Sequence, residues 1–253
     1  MKQNIYDDPA FFEGYQNLRE NEAGLNAAIE DPAIMSVLPD LKALSILDLG
    51  SGFGDFCRFA RKQGAARVVG VEISKRMIAE AENRTNDSGI TYLHTAVEDY
   101  AMKAKAYDLV VCRLTMHYVS DYRGVVGSVY RGLRAGGRFI LSVEHPLCTA
   151  LGQGWHEDAD GNPLFWPVDD YQKEGERRQH WFVDGVIKYH RTVETYINTL
   201  LDAGFCLTRL LEPQAAKAAL KRRPDLRSAT RRPPLLVIAV RKPAGPGSAA
   251  HAG

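Results

Sequence analysis

The segment ILDLGSGFG sets Gly50, Gly52 and Gly54 directly after a short apolar run, and Glu72 closes the next such run about twenty residues on. Glycines at that point permit a tight turn and let bare backbone N–H groups approach a ligand, which in an α/β sheet binds beyond the carboxyl ends of the strands. A carboxylate at that distance suits the paired hydroxyls of a ribose. The dinucleotide fingerprint has its third glycine three positions after the second. Here that position is Asp55 and the glycine arrives early, at Gly54, which weakens a pyrophosphate-binding reading. The acid is shared by both readings.

Three histidines could take up a proton near neutral pH, where imidazole titrates. His117 follows the run YDLVVC, His145 follows RFILSV and His190 stands just before a helical stretch, so all three can reach the edge where strands end. A single histidine is more often a hydrogen-bonded structural residue. His117 is the first choice as a base, and Glu144 either orients an imidazole or caps a loop. Trp155, Phe165, Trp166, Tyr171, Trp181, Phe182 and Tyr189 interleave with acids and glycines. Such rings wall a pocket for a planar or apolar ligand, or form a satellite core that holds a long loop down. The turn from His156 to Gly161 lacks calcium or zinc spacing and reads as a solvated acidic turn, so no metal is expected. Arg222, Arg223, Arg227, Arg231 and Arg232 crowd the approach to the last apolar run. With no aromatic residue between Lys221 and Arg232, they read as a solvated loop in preference to a nucleic-acid footprint.

Positioning these groups takes alternating strands and helices. LSILDLG, RVVGVEI, ITYLH, YDLVVC and RFILSV predict five strands, and FCLTRLL and LLVIAV two more. Phe56, Phe59 and Ala60 predict a helix closed by Gly64, and Ser74 an N-cap for one carrying Met77, Ile78 and Ala81. Asp121 caps a helix whose inward face is Val125, Val126, Val129 and Leu133, ended by RAGG. Val193, Tyr196, Ile197, Leu200 and Leu201 mark another, stopped by Gly204. The expected fold is α/β: a Rossmann-like, doubly wound, mostly parallel sheet of seven strands with helices on both faces. Residues 1–43 form a helical cap. Residues 145–190, too long for an ordinary connection, form a lid inserted after strand five. One domain spans 1–243, and the Pro-, Gly- and Ala-rich tail 244–253 is expected to be disordered.

A chain of 253 residues can bury one sizeable core, and a formal net charge of +1 draws it to neither nucleic acid nor an anionic membrane. Cys57, Cys112, Cys148 and Cys206 are scattered singly, without disulfide or zinc spacing. With no signal-peptide pattern at the N-terminus and no membrane-length apolar run, a cytoplasmic protein is expected.

In this order and spacing, ILDLGSGFG, VVGVEIS, TAVEDY, YDLVVCRLTMHYVSD and LRAGGRFILSVEHP resemble the successive motifs of class I S-adenosylmethionine-dependent methyltransferases, over roughly residues 10 to 240. SVEHP, the aromatic insert and IKYHRTVETYINTL resemble a bacterial small-molecule branch of that class. The resemblance implies transfer of a methyl group from S-adenosylmethionine to an oxygen or nitrogen of a small organic molecule. It implies that Asp48 and the turn Gly50, Ser51, Gly52 and Gly54 hold the methionine end of the cofactor, and that Glu72 takes the ribose. Ile73 and Met77 would sandwich the adenine, Val97 and Glu98 line its amino edge, and the Arg113 backbone face the methionine amine. Tyr15 and Arg19, in EGYQNLR, match a helix folded over the cofactor. Many members have an acid where this chain has Ala96, which leaves that adenine contact to backbone or to Glu98. Methyl transfer is an in-line displacement from a positive sulfonium. The protein therefore positions the acceptor, excludes water and removes at most one proton, a task for His117, with His145 and His190 behind it. The expected partner is a small-molecule acceptor, with no nucleic acid and no membrane, in a monomer or homodimer. The rival readings are an RNA- or protein-directed methyltransferase using the arginine cluster, and a protein that binds the cofactor without transferring its methyl group.

Overall fold

Ser45–Leu49 (β1) is buried at every residue, as a strand covered on both faces of a parallel sheet must be. Its side chains alternate, Leu47 and Leu49 entering one layer and Ile46 the other. The same pattern recurs in Arg67–Glu72 (β2), Tyr107–Arg113 (β4), Leu133–Glu144 (β5) and Leu235–Arg241 (β11); Ile90–His94 (β3) and Cys206–Leu211 (β10) form the more exposed edges. The structure, a computed structural model, describes residues 2–20, 25–151 and 154–244. The seven strands run in the order β10-β11-β5-β4-β1-β2-β3. β1 to β5 pair in parallel, and β11 is antiparallel to both β5 and β10. Strand order reverses between β1 and β4, and that switch point leaves a crevice beyond their carboxyl ends.

Helices cover both faces. Tyr122–Gly132 (α5) and Val193–Asp202 (α7) press Val125, Val126, Val129, Tyr196 and Leu200 onto Val110, Cys112, Phe139 and Leu141. Asp31–Val37 (α2) and Asp55–Lys62 (α3) press Ile34, Phe56, Cys57 and Ala60 onto Ile46, Leu109, Val111 and Ile140. Pro9–Glu20 (α1) precedes them, Lys75–Asn83 (α4) follows β2, and Lys217–Arg222 (α8) precedes β11. Caps fall where side-chain chemistry places them: Ser74 Oγ accepts from Met77 N at 3.1 Å and Asp121 Oδ1 from Gly124 N at 2.8 Å. Among the described residues no helix is long and apolar enough to cross a membrane.

Two expectations change. Leu133 does not end α5; it starts β5, paired with Tyr107, and RAGG lies inside that strand where the register slips. Leu201 is exposed, so the apolar stripe of α7 is narrower than its sequence suggests. The segment 145–190 is largely regular: a short helix Pro146–Thr149 (α6), a small hairpin of His156–Glu157 (β6) and Pro163–Phe165 (β7), and a long one of Gly175–Trp181 (β8) and Val183–His190 (β9). Val186, Lys188 and His190 share the buried side of β9, the period-2 signature of a half-covered strand. Of the expected disordered tail, residues 245–253 lie outside the described residues.

Candidate active site

Gly50, Gly52 and Gly54 have φ of 76°, 52° and 74°, the left-handed region that glycine enters without steric cost. A Cβ at residue 50 would overlap Thr115 Oγ1, and one at residue 54 the Tyr92 hydroxyl; at Gly52 nothing stands within 4 Å of that position. The turn therefore presents a bare backbone face to open space at Gly52. Its amides are largely committed, which corrects the expectation of free donors. Gly50 N and Ser51 N donate to Val71 O at 2.8 and 3.0 Å, and Gly54 N to Ser51 O at 2.9 Å. Gly52 N donates to Glu72 Oε2 at 3.0 Å, and Ser74 N to Oε1 at 3.0 Å. The turn thus supplies shape and fixes a buried carboxylate whose oxygens each keep a further lone pair. Burial pushes the Glu72 carboxyl up, against the pull of these backbone donors.

A cavity of about 770 Å³ opens above the ends of β1, β2 and β4, within the range of small-molecule sites. Its wall includes Tyr15, Arg19, Asp48, Gly50, Ser51, Gly52, Glu72, Ile73, Met77, Val97, Glu98 and Arg113. Gly54 alone of the positions expected around a cofactor stands off the wall, packed behind the turn against Tyr92. Asp48 is buried beside Cys57, whose thiol donates to Oδ2 at 3.4 Å. Burial pushes the Asp48 carboxyl up to about 7, partly offset by Arg113. Arg19 pairs with Asp55 at 2.8 Å, and the Tyr15 ring packs edge-on against Tyr6 and Trp181. The Arg113 side chain is anchored at the cavity: Nη2 donates to Glu30 Oε2 at 2.7 Å and to Asp31. Glu30, fully buried in a helical turn of residues 26–30, also accepts from Ser142 Oγ at 2.5 Å. Despite its burial, Arg113 and these donors hold the Glu30 carboxyl below its usual range. Ser51 Oγ and Arg113 Nε are buried without a hydrogen-bond partner among the described residues. A buried carboxylate, a side-chain-free opening, apolar Ile73, Met77 and Val97, and two orphaned polar atoms together form a donor set that suits an adenosyl sulfonium.

The opposite part of the wall comes from distant segments and includes His117, Tyr118, Glu144, Cys148, Trp181, Lys188, Tyr189 and Arg232. Of the three candidate histidines the structure brings only His117 to the cavity. Its Nδ1 accepts from Glu144 N at 3.3 Å, which selects the tautomer with hydrogen on Nε2. Burial, with Lys188 and Arg191 nearby, pushes its pKa well below the usual value. His145 caps α6 through Nδ1, 3.1 Å from Leu147 N, and its Nε2 meets Glu212 at 3.0 Å. His190 is fully buried between Thr149 Oγ1 at 2.7 Å and Tyr171 O at 2.9 Å. Both have their ring nitrogens engaged away from the cavity, so the expectation that they reach the reacting edge is corrected to a structural role. Glu144 orients His117 through its backbone, while its carboxylate pairs with Lys188 Nζ at 2.7 Å.

The aromatic insert divides between its two readings. Trp181 and Tyr189 line the cavity; Trp155 and Trp166 pack together 5.5 Å apart, Tyr171 packs on His190, and Phe182 packs on Phe11, while Phe165 is exposed. The arginine cluster divides too. Arg222 and Arg227 are exposed and Arg223 pairs with Asp225 at 2.6 Å. Arg231 instead donates to Pro163 O and Leu164 O at 2.5 Å each, and Arg232 stacks on Trp166. Arg231 is exposed as expected while it holds the small hairpin; for Arg232, half-buried on Trp166, the reading as a solvated residue is corrected. In the acidic turn, Asp158 Oδ1 accepts from Asp160 N and Asn162 N. Sequence reasoning missed Tyr6, Thr115 and Lys188. Only Lys188 left a signal, a lysine in phase with Val186 and His190 on the buried side of a strand.

A family profile described as "Methyltransferase domain" matches residues 47–141. An uncharacterized protein of Haemophilus influenzae is 32% identical over 249 residues, 95% of this chain and 98% of its own length. The solved structure of an S-adenosylmethionine-dependent methyltransferase from Mesorhizobium loti is 38% identical, with a TM-score of 0.80, covering 86% of this chain and all of that one (100%). A solved structure from Listeria monocytogenes, assigned to the same class, is 42% identical with a TM-score of 0.79, covering 83% and 95%. The chain belongs to the S-adenosylmethionine-dependent methyltransferase family: it is an enzyme, and its cofactor is S-adenosylmethionine.

Proposed function

We propose that the methyl group goes to an oxygen or nitrogen of a small organic molecule, held in the same cavity as the cofactor beneath α1 and the β8–β9 hairpin. The observation that carries this reading is one continuous cavity of about 770 Å³, walled by the Gly50–Gly52 turn and Glu72 and also by Glu144, Lys188 and Tyr189. Residues 1–243 work as one domain, with 1–43 as the cap and 145–190 as the lid. Free, mostly buried cysteines suit a reducing, cytoplasmic setting.

S-adenosylmethionine supplies an electrophilic methyl group on a sulfonium that is already a good leaving group. Glu72 would accept from the ribose hydroxyls, Ile73, Met77 and Val97 would flank the adenine, and Glu98 would meet its amino edge. Asp48, Gly50, Ser51, Gly52 and Arg113 would hold the methionine end, under Tyr15 and Arg19. His117 presents Nε2–H to the acceptor and orients a lone pair; with Nδ1 engaged by Glu144 N, it acts as donor in place of base. Glu144, steadied by Lys188, takes the proton that the acceptor sheds as its bond to carbon forms. The lid excludes water from that exchange.

The test is incubation of the enzyme with isotopically methyl-labelled cofactor and a metabolite extract, followed by ultrafiltration. A new labelled compound in the filtrate is expected. Label confined to the RNA or protein fraction would overturn the small-molecule reading.

A further inference from the structure

We infer that the acceptor carries an anionic oxygen group, carboxylate or phosphate, anchored by Arg232. This rests on the small-molecule reading above and narrows it to a substrate class.

Arg232 lines the cavity just ahead of β11. Its guanidinium lies 3.6 Å from the centre of the Trp166 ring and 5.6 Å from that of Trp155. One Nη donates to the Cys148 sulfur, and Nε is buried with no hydrogen-bond partner among the described residues. No carboxylate among the described residues forms an ion pair with it. Its neighbour Arg231 shows the alternative: two backbone carbonyls of the small hairpin take up its donors. Arg232 has no comparable set.

The surrounding charges leave it uncompensated. Lys188, almost wholly buried, is matched by Glu144 at 2.7 Å. Glu212, bonded to His145, is more than half exposed. Cys148 lies among Arg232, Glu144 and Lys188, but burial pushes its thiol up to about 12, so it stays neutral. Two cations and one carboxylate leave this wall with one formal positive charge. A cation drawn out of bulk water is costly until an anion pairs with it. The guanidinium fork matches the two oxygens of a carboxylate or phosphate, and the tryptophan stack fixes its orientation before a ligand arrives.

The experiment measures binding of benzoate, benzamide and phenyl phosphate by ligand-observed NMR, at low ionic strength, with and without saturating S-adenosylhomocysteine. Benzoate, phenyl phosphate or both should bind at least tenfold more tightly than the neutral amide, and whichever binds better identifies the oxyanion. Arg232→Gln should abolish the preference while S-adenosylhomocysteine affinity stays within twofold. Equal binding of benzoate, phenyl phosphate and benzamide to the wild-type protein overturns the inference, as does a preference that survives Arg232→Gln. Arg232→Lys, which keeps the charge and loses the fork, serves if the glutamine variant does not fold; its preference should fall, and an unchanged preference for both anions there overturns recognition by the guanidinium fork. Absence of S-adenosylhomocysteine binding would sink the function reading instead, and the arm without cofactor analogue still decides the anion preference.

Discussion

Apart from Tyr15 and Arg19 of α1, the cofactor wall is made of residues within a few positions of the ends of β1, β2, β3 and β4, and backbone holds its central group: Glu72 sits between Gly52 N and Ser74 N. The acceptor wall draws His117, Glu144, Lys188 and Arg232 from four separate segments and holds them by side-chain pairs and stacked rings. The first wall is a property of the sheet; the second depends on how an insertion packs upon it. Changes on the first should therefore alter cofactor affinity or folding, and changes on the second should alter only the handling of the acceptor.

The sharpest break is expected at Glu72. Two charge-assisted hydrogen bonds to the ribose, about 1.5–3 kcal/mol each, are lost in Glu72→Ala, so calorimetry with S-adenosylhomocysteine should show roughly a thousandfold weaker binding. Affinity within tenfold of wild type would move the ribose elsewhere.

Burial of the Asp48 carboxyl carries a cost to folding. With its folded-state pKa raised to about 7 and an ordinary unfolded value near 3.9, the native protein retains a proton that the unfolded chain releases. Stability from this group is fully present below about pH 4 and is lost as pH rises to about 7. Some three units correspond to at most about 4 kcal/mol. Asp48→Asn should therefore gain on wild type in urea unfolding at pH 8, and the gain should vanish by pH 4. A difference that does not vary with pH would mean that Asp48 is not perturbed.

Two glycines of one turn should separate folding from binding. Gly50→Ala combines a left-handed φ with overlap on Thr115 and should cost about 3 kcal/mol of stability. Gly52→Ala meets open space, should cost about 1 kcal/mol, and should weaken S-adenosylhomocysteine about tenfold by filling the cavity. If both variants lose stability equally, the opening at Gly52 is not a ligand surface.

This contrast also explains what could be read in the residues alone. Ser74 and Asp121 cap their helices through bonds three residues long, and the glycine turn and Glu72 are tied to strand ends, so spacing reveals them. The central strands β1 and β4 are legible because parallel pairing buries them on both sides. Leu133 reads as helical in the sequence because α5 and β5 meet without a break and one apolar residue satisfies either period. His145 and His190 share a type with His117, and only tertiary neighbours such as Glu212, Thr149 and Tyr171 distinguish them. Arg231 and Arg232 resemble solvated charges until the insertion supplies carbonyls and indole rings. Tyr6 and Thr115 belong to no local pattern; they matter through what the fold brings opposite them.

His117 should give the smallest effect and the finest test of the acceptor wall. A base working at neutral pH would titrate there; an imidazole held well below its usual pKa by burial, Lys188 and Arg191 remains neutral throughout. Nitrogen-labelled histidine NMR should show the Nε2–H tautomer, unchanged between pH 8 and pH 6. His117→Ala should lower kcat/KM by roughly tenfold, the loss of one hydrogen bond, with cofactor affinity unaltered and the pH profile keeping its shape. An ionisation near 6.5 that disappears with the side chain would restore His117 as the base and leave Glu144 as no more than its orienting group.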